Sequence, residues 1–155
     1  MLVDFENIGQ NISMHKYSLI GSGTGRLVYD LDNGYVAKVA KNKKGIAQNK
    51  AEYQISTMDD TDLFAEVLAM SDNCRFLIMV RAERIGSMTV VWKYYNVNNN
   101  HELFHLDNFR DFYKKYNLLF GDLCRRSSWG IVNERPVIID YGFTKEARRY
   151  YNTFF

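Results

Sequence analysis

The chain has 155 residues, a formal net charge of +2, and 46% hydrophobic and 15% aromatic residues. That length fits one domain with a sizeable core, and a charge so close to neutral argues against a protein that binds nucleic acid or a membrane surface through its overall field. The two cysteines, Cys74 and Cys124, are too few for a disulfide framework or a cysteine zinc site, and no run of about 18 apolar residues is present to cross a bilayer.

Residues 1–10 carry two acids and no base, which is not the pattern of a signal peptide. With two reduced thiols, the composition suits a cytoplasmic protein. Strands are expected at Tyr17 to Ile20, Arg26 to Leu31 and Tyr35 to Ala40. Asp32-Asn33-Gly34 forms the hairpin turn between the last two, because Asn-Gly tolerates the positive φ of tight turns. A helix follows over 45–58, opened by Gly45, with Ile46, Asn49, Tyr53 and Ile55 on an imperfect stripe. Leu63 to Met70 and Arg75 to Ala82 read as two further strands joined at Ser71-Asp72-Asn73. The segment Met88 to Asn100 fits strand or helix. Leu103 to Leu119 has the clearest helical pattern, with Leu103, Leu106, Phe109, Tyr113, Tyr116 and Phe120 at three- and four-residue spacing.

Two aspartates stand out, 18 positions apart. Asp122 lies in Leu118-Leu119-Phe120-Gly121-Asp122-Leu123, and Asp140 lies in Pro136-Val137-Ile138-Ile139-Asp140-Tyr141-Gly142. Each is a carboxylate at the edge of an apolar run. Between them, Ile131 to Ile139 reads as strands around a short turn. A hairpin that returns one carboxylate to face another builds a site for a divalent metal and phosphate.

Taken with the N-terminal half, these segments resemble the protein kinase-like superfamily. Ile20-Gly21-Ser22-Gly23-Thr24-Gly25-Arg26-Leu27-Val28 resembles the glycine-rich loop, and Tyr35-Val36-Ala37-Lys38 the third strand with its lysine. Glu52 resembles the partner glutamate on the following helix, Gly121-Asp122-Leu123 the catalytic loop, and Asp140-Tyr141-Gly142 the metal-binding triplet. The resemblance runs from about Tyr17 to Phe143 and is nearest in style to small kinase-like proteins of bacteria and their phages. It implies an α+β fold in a single domain: a five-stranded antiparallel N-lobe sheet with one helix over about 1–82, and a much reduced helical C-lobe over 83–155.

The resemblance also implies roles. Gly21, Gly23 and Gly25 would bring backbone N–H groups close to the phosphates of ATP. Lys38, held by Glu52, would contact the α- and β-phosphates. Met79 to Ala82 would border the adenine. Asp122 would orient or deprotonate the attacking hydroxyl. Asp140 would bind magnesium, with Ser127 at the position of the family's second, asparagine ligand. The acceptor would be a protein or small-molecule hydroxyl, and Ser127, Ser128, Thr144 and Thr153 leave autophosphorylation open.

Several positions depart from the family pattern. Arg26 stands where a third glycine is usual, and Phe120 replaces a histidine or tyrosine. Ser127 is a weaker metal ligand than an amide. These changes, with a missing activation segment, also suit a pseudokinase: a nucleotide-sensing or partner-binding module without catalysis. The aromatic tail, Tyr150-Tyr151 to Phe154-Phe155, suits a surface buried against a protein partner or in a homodimer. Of the basic clusters, 41–44 and 148–149 read as solvated faces, while Arg125 and Arg126 could engage substrate phosphate. His101 and His105, at i and i+4, read as a plain pair rather than a metal site.

Overall fold

The structure, a computed structural model, describes residues 2–147. The Arg148-Arg149 cluster, Thr153 and the aromatic tail lie outside those residues. Helix α1 (Phe5–Ser13) is capped by Asp4, whose side chain accepts from the Asn7 N–H. Strands β1 (Ser18–Ser22), β2 (Arg26–Asp30) and β3 (Tyr35–Ala40) follow, then the 16-residue helix α2 (Lys43–Met58), then β4 (Val67–Met70) and β5 (Phe76–Val80). All five strands pair antiparallel in the order β1-β2-β3-β5-β4. This sheet, with its helix inserted between the third and fourth strands, is the arrangement that the sequence resemblance implied for about residues 1–82.

The hairpin turn at Asp32-Asn33-Gly34 forms as expected. Asp32 (φ 59°) and Gly34 (φ 89°) are left-handed, and the Asn33 side chain accepts from the Tyr35 N–H. The opening of α2 differs from the sequence reading: Asn42, not Gly45, is the cap, and its side-chain oxygen accepts from the Gly45 N–H. The stripe differs as well. Tyr53 is exposed, and the buried face consists of Gly45, Gln48, Asn49, Glu52 and Ile55. A mostly polar buried stripe gives little hydrophobic periodicity.

Alternation sends successive strand residues to opposite faces of the sheet. Ala37, Val39 and Ile78 face outward and pack with Ile8 of α1. Val36, Leu77 and Met79 face inward and join Ile55, Trp129 and Ile138 in the larger core. Neither α1 nor this covered outer face was anticipated from the sequence.

The strand expected over Leu63 to Met70 starts later, at Val67. Its first residues instead pair with the distant hairpin: the Ile138 N–H donates to Leu63 O, and the Ala65 N–H to Ile138 O. That hairpin, β7 (Trp129–Val132) and β8 (Arg135–Ile138), turns at Asn133 and Glu134, both at positive φ, and β6 (Glu83–Arg84) completes a three-stranded sheet.

The long helix expected over Leu103 to Leu119 does not form. The chain there makes single turns, α4 (Asn100–Leu103) and α5 (Phe112–Lys115), after α3 (Thr89–Tyr94). Asp107 and Asn108, residue types of low helix propensity, lie where the run breaks, and Asn117 (φ 56°) is left-handed where it ends. The apolar positions still bury: Leu103, Phe109, Phe112 and Tyr116 are core residues. Helical spacing there reports compact turns around one core.

Candidate active site

Strand β3 carries Lys38 inward, opposite Val28 on β2 and Leu77 on β5. Its Nζ donates to Glu52 Oε1 at 2.8 Å and to Ile139 O at 2.5 Å. Glu52 is fully buried on the inner face of α2. The lysine–glutamate pair expected from the sequence is therefore formed, and it is tied through Ile139 to the strand end that bears Asp140.

Arg26 enters the same cluster from β2. Its Nη1 donates to Glu52 Oε1 at 2.7 Å, and its Nη2 to Glu52 Oε2 at 3.0 Å and to Asp140 Oδ1 at 3.0 Å. The sequence marks Arg26 only as a glycine out of place. Its position one strand over from Lys38, two residues before Val28, is the signal that places it on the inward face. Asn49 was also missed in this role: its Oδ1 accepts from Arg26 Nη1 at 3.1 Å.

Glu52 also accepts from the N–H groups of Tyr141 (2.9 Å) and Gly142 (3.0 Å). Burial would raise its carboxyl, but Arg26 and Lys38, by charge and hydrogen bond, hold it down at about 2. Burial lowers Lys38, while Glu52 opposes that shift. Burial raises the Asp140 carboxyl, with Lys38 and Arg26 pulling the other way. The Asp140 side chain keeps 32% of its surface exposed.

The Asp140-Tyr141-Gly142 triplet is locked in place. Tyr141 is buried, its hydroxyl donates to Ala65 O at 2.6 Å, and burial pushes that hydroxyl far up. Gly142 admits no side chain, because a Cβ there would lie 2.8 Å from Gln48 O.

Asp122 sits in the one-turn helix α6 (Phe120–Leu123), and its backbone oxygen accepts from the buried Ser128 hydroxyl at 2.6 Å. Arg125 Nη1 lies 3.6 Å from the Asp122 carboxylate, so this arginine faces Asp122. Arg126 instead donates to Gly86 O. Ser127 is exposed, within the 3₁₀ turn Arg126–Ser128. Trp129 anchors the loop: it is buried and its Nε1 donates to Leu123 O at 2.8 Å.

The glycine-rich segment forms a tight hairpin, with the Gly23 N–H donating to Arg26 O at 2.9 Å. Gly25 packs directly on the start of α2; a Cβ on Gly45 would fall 2.0 Å from Gly25 O. Lys44, expected on a solvated face, instead reaches this hairpin, donating to the Thr24 hydroxyl. Burial lowers its ammonium while Asp122 and Asp140 raise it, so it stands within the field of both aspartates.

Met79 is buried in the core, and Ala82 lies partly buried beside β7. Two open cavities lie elsewhere: one of about 550 Å³ between α1 and Phe76, and one of about 400 Å³ around Phe104, His105 and Phe120. His101 and His105 are ring neighbours at 4.3 Å, and among the described residues no group of three or more acidic, histidine or cysteine side chains is placed to hold a metal. Both cysteines are free thiols.

Fold and site together have the arrangement that the sequence resemblance implied, with the Lys38–Glu52 pair formed and Asp140 joined to it through Arg26. No protein-family model matches the chain, and no curated relative does. Among solved structures, the chain is similar to the streptomycin-ATP-APH(2")-IIa ternary complex, at 16% identity and a TM-score of 0.48. It is similar also to the gentamicin-APH(2")-IIa complex, at 14% identity and a TM-score of 0.48. Each alignment covers 92% of this chain and 71% of the other.

Proposed function

We propose that the protein is an ATP-dependent phosphotransferase that moves a phosphoryl group onto a hydroxyl. The observation that carries this reading is the convergence of Lys38, Glu52 and Asp140: one ion pair of 2.8 Å, with the Lys38 ammonium also bound to the carbonyl of the residue before Asp140. A structural ion pair alone needs no second carboxylate beside it.

Two of the three Lys38 N–H donors are engaged, so one remains to meet a phosphate oxygen. Glu52, fixed by the Tyr141 and Gly142 N–H groups, keeps that ammonium aimed at the cleft. The carboxylate chemistry of Asp140 fits a hard divalent cation such as magnesium. When bound, that ion would neutralise charge on the transferring phosphate. Asp122 accepts the proton of the acceptor hydroxyl as its oxygen forms the new P–O bond and the bond to the β-phosphate oxygen breaks. The acceptor is a protein or small-molecule hydroxyl.

A second reading has its own observation. The Arg26–Asp140 contact of 3.0 Å occupies one oxygen of the candidate metal ligand, which suits a nucleotide-sensing module without turnover.

Calorimetry with ATP, with and without magnesium, on the wild type and Asp140→Ala separates these outcomes. Magnesium-enhanced binding that Asp140→Ala loses supports the phosphotransferase site. Binding indifferent to magnesium in both proteins favours the sensing module, and no binding in either removes both readings.

A further inference from the structure

We propose that Arg26 is a resident cation of this site, supplying the positive charge that a second divalent ion would otherwise bring, so that nucleotide binds with a single metal ion. The proposal rests on the phosphotransferase reading above and specifies its metal requirement.

Arg26 is held from several sides. Four of its five N–H donors are engaged, by Asn49, by both oxygens of Glu52 and by Asp140. Asn49 is itself fixed, since its Nδ2 donates to Cys74 O at 2.9 Å and Arg75 O at 3.1 Å, which turns its oxygen toward the guanidinium. The residue is 6% exposed and its side chain leaves β2 on the same face as Val28, toward Glu52 and Asp140. An arginine so constrained is part of the site before any ligand enters.

Charge gives the consequence. Arg26 and Lys38 balance Glu52 and Asp140, so the cluster is neutral; with glycine at 26 it would carry one net negative charge. In two-ion kinase sites the second ion relies on an asparagine of the catalytic loop. Here that position is Ser127, short and exposed, while the neighbouring Ser128 hydroxyl is committed to Asp122 O. The second ligand has weakened at one end of the site, and a fixed guanidinium stands at the other. With both Nη groups committed to Asn49, Glu52 and Asp140, the guanidinium acts on phosphate oxygens through its fixed positive charge. Arg26 takes Oδ1 of Asp140, and Oδ2 carries none of its contacts and is open to one ion.

The test counts Mn²⁺ by electron paramagnetic resonance at saturating non-hydrolysable ATP analogue, and measures analogue affinity at fixed Mn²⁺ for the wild type, Arg26→Ala and Arg26→Lys. We expect one Mn²⁺ per bound nucleotide in the wild type. Arg26→Ala should weaken the analogue tenfold or more, with part of that regained in Arg26→Lys. Two Mn²⁺ in the wild type overturn the proposal, and that count needs no variant to fold. Equal or tighter binding by folded Arg26→Ala also overturns it; tighter binding would make Arg26 a plug and leave the phosphotransferase reading standing. Absence of binding in all three folded proteins overturns the proposal and that reading together.

Discussion

The outer face of the five-stranded sheet buries Ala37, Val39 and Ile78 against Ile8 of α1, while the inner face buries Arg26 and Lys38 against Glu52. On β3 the two sets alternate, with Lys38 between Ala37 and Val39. On the outer face burial needs only apolar area and close packing. On the inner face each charge depends on its partners, because a buried ion left alone costs more than the pair contributes. The comparison teaches that strand alternation sets a purely apolar outer face against an inner face that carries both the larger core and the charged cluster.

Removing the shared anion should break the inner face most severely. Glu52→Ala strands Arg26 and Lys38 in the interior, with two backbone N–H groups unpaired. We expect a loss of about 3–5 kcal/mol in urea unfolding, as for other broken buried pairs. A loss under about 1 kcal/mol would mean that water reaches this cluster freely.

The outer face should respond with a smaller effect of a different kind. Ile78, 2% exposed, packs only within the apolar cluster. Ile78→Ala should cost about 3 kcal/mol through lost burial and the cavity left, yet nucleotide affinity of the folded protein should be unchanged. A matching loss of affinity would show that the two faces are coupled.

Acid sharpens the contrast further. Glu52 titrates at about 2 in the folded protein, below its ordinary value of 4.5. A depressed folded value stabilises the protein above the unfolded value, and that contribution is lost as pH falls from about 5 toward 2. Urea midpoints of the wild type should drop through that window, and Glu52→Ala should drop less. Parallel curves would assign the acid sensitivity to other carboxylates.

The parts legible in the sequence were those written in local chemistry or in a spaced motif. Asp32-Asn33-Gly34 announced its turn, and Lys38, Glu52, Asp122 and Asp140 were recognisable in order. The structure pairs Lys38 with Glu52 and bonds the same lysine to the carbonyl of Ile139, while Arg26 bridges Glu52 and Asp140, and Asp122 is close enough for its charge to act on Asp140. The rest depended on distant partners. The helix read over Leu103 to Leu119 failed because apolar spacing records burial, and single turns around Phe109 bury the same residues. Helix α1 went unseen because residues 1–10 were weighed only as a targeting segment, although Phe5, Ile8 and Ile12 have helical spacing. Arg26 was read as a missing glycine; its role depends on Glu52 and Asp140, 26 and 114 residues away.

The central claim is that Lys38, oriented by Glu52, is a phosphate ligand rather than half of a structural ion pair. Its most direct test is ATP affinity by calorimetry in magnesium for the wild type and Lys38→Ala, with folding checked by circular dichroism. Glu52 keeps Arg26 in the variant, so the fold should survive. The account predicts binding by the wild type and at least a tenfold loss in folded Lys38→Ala. Equal affinity in the two proteins, or no binding by the wild type, would contradict it.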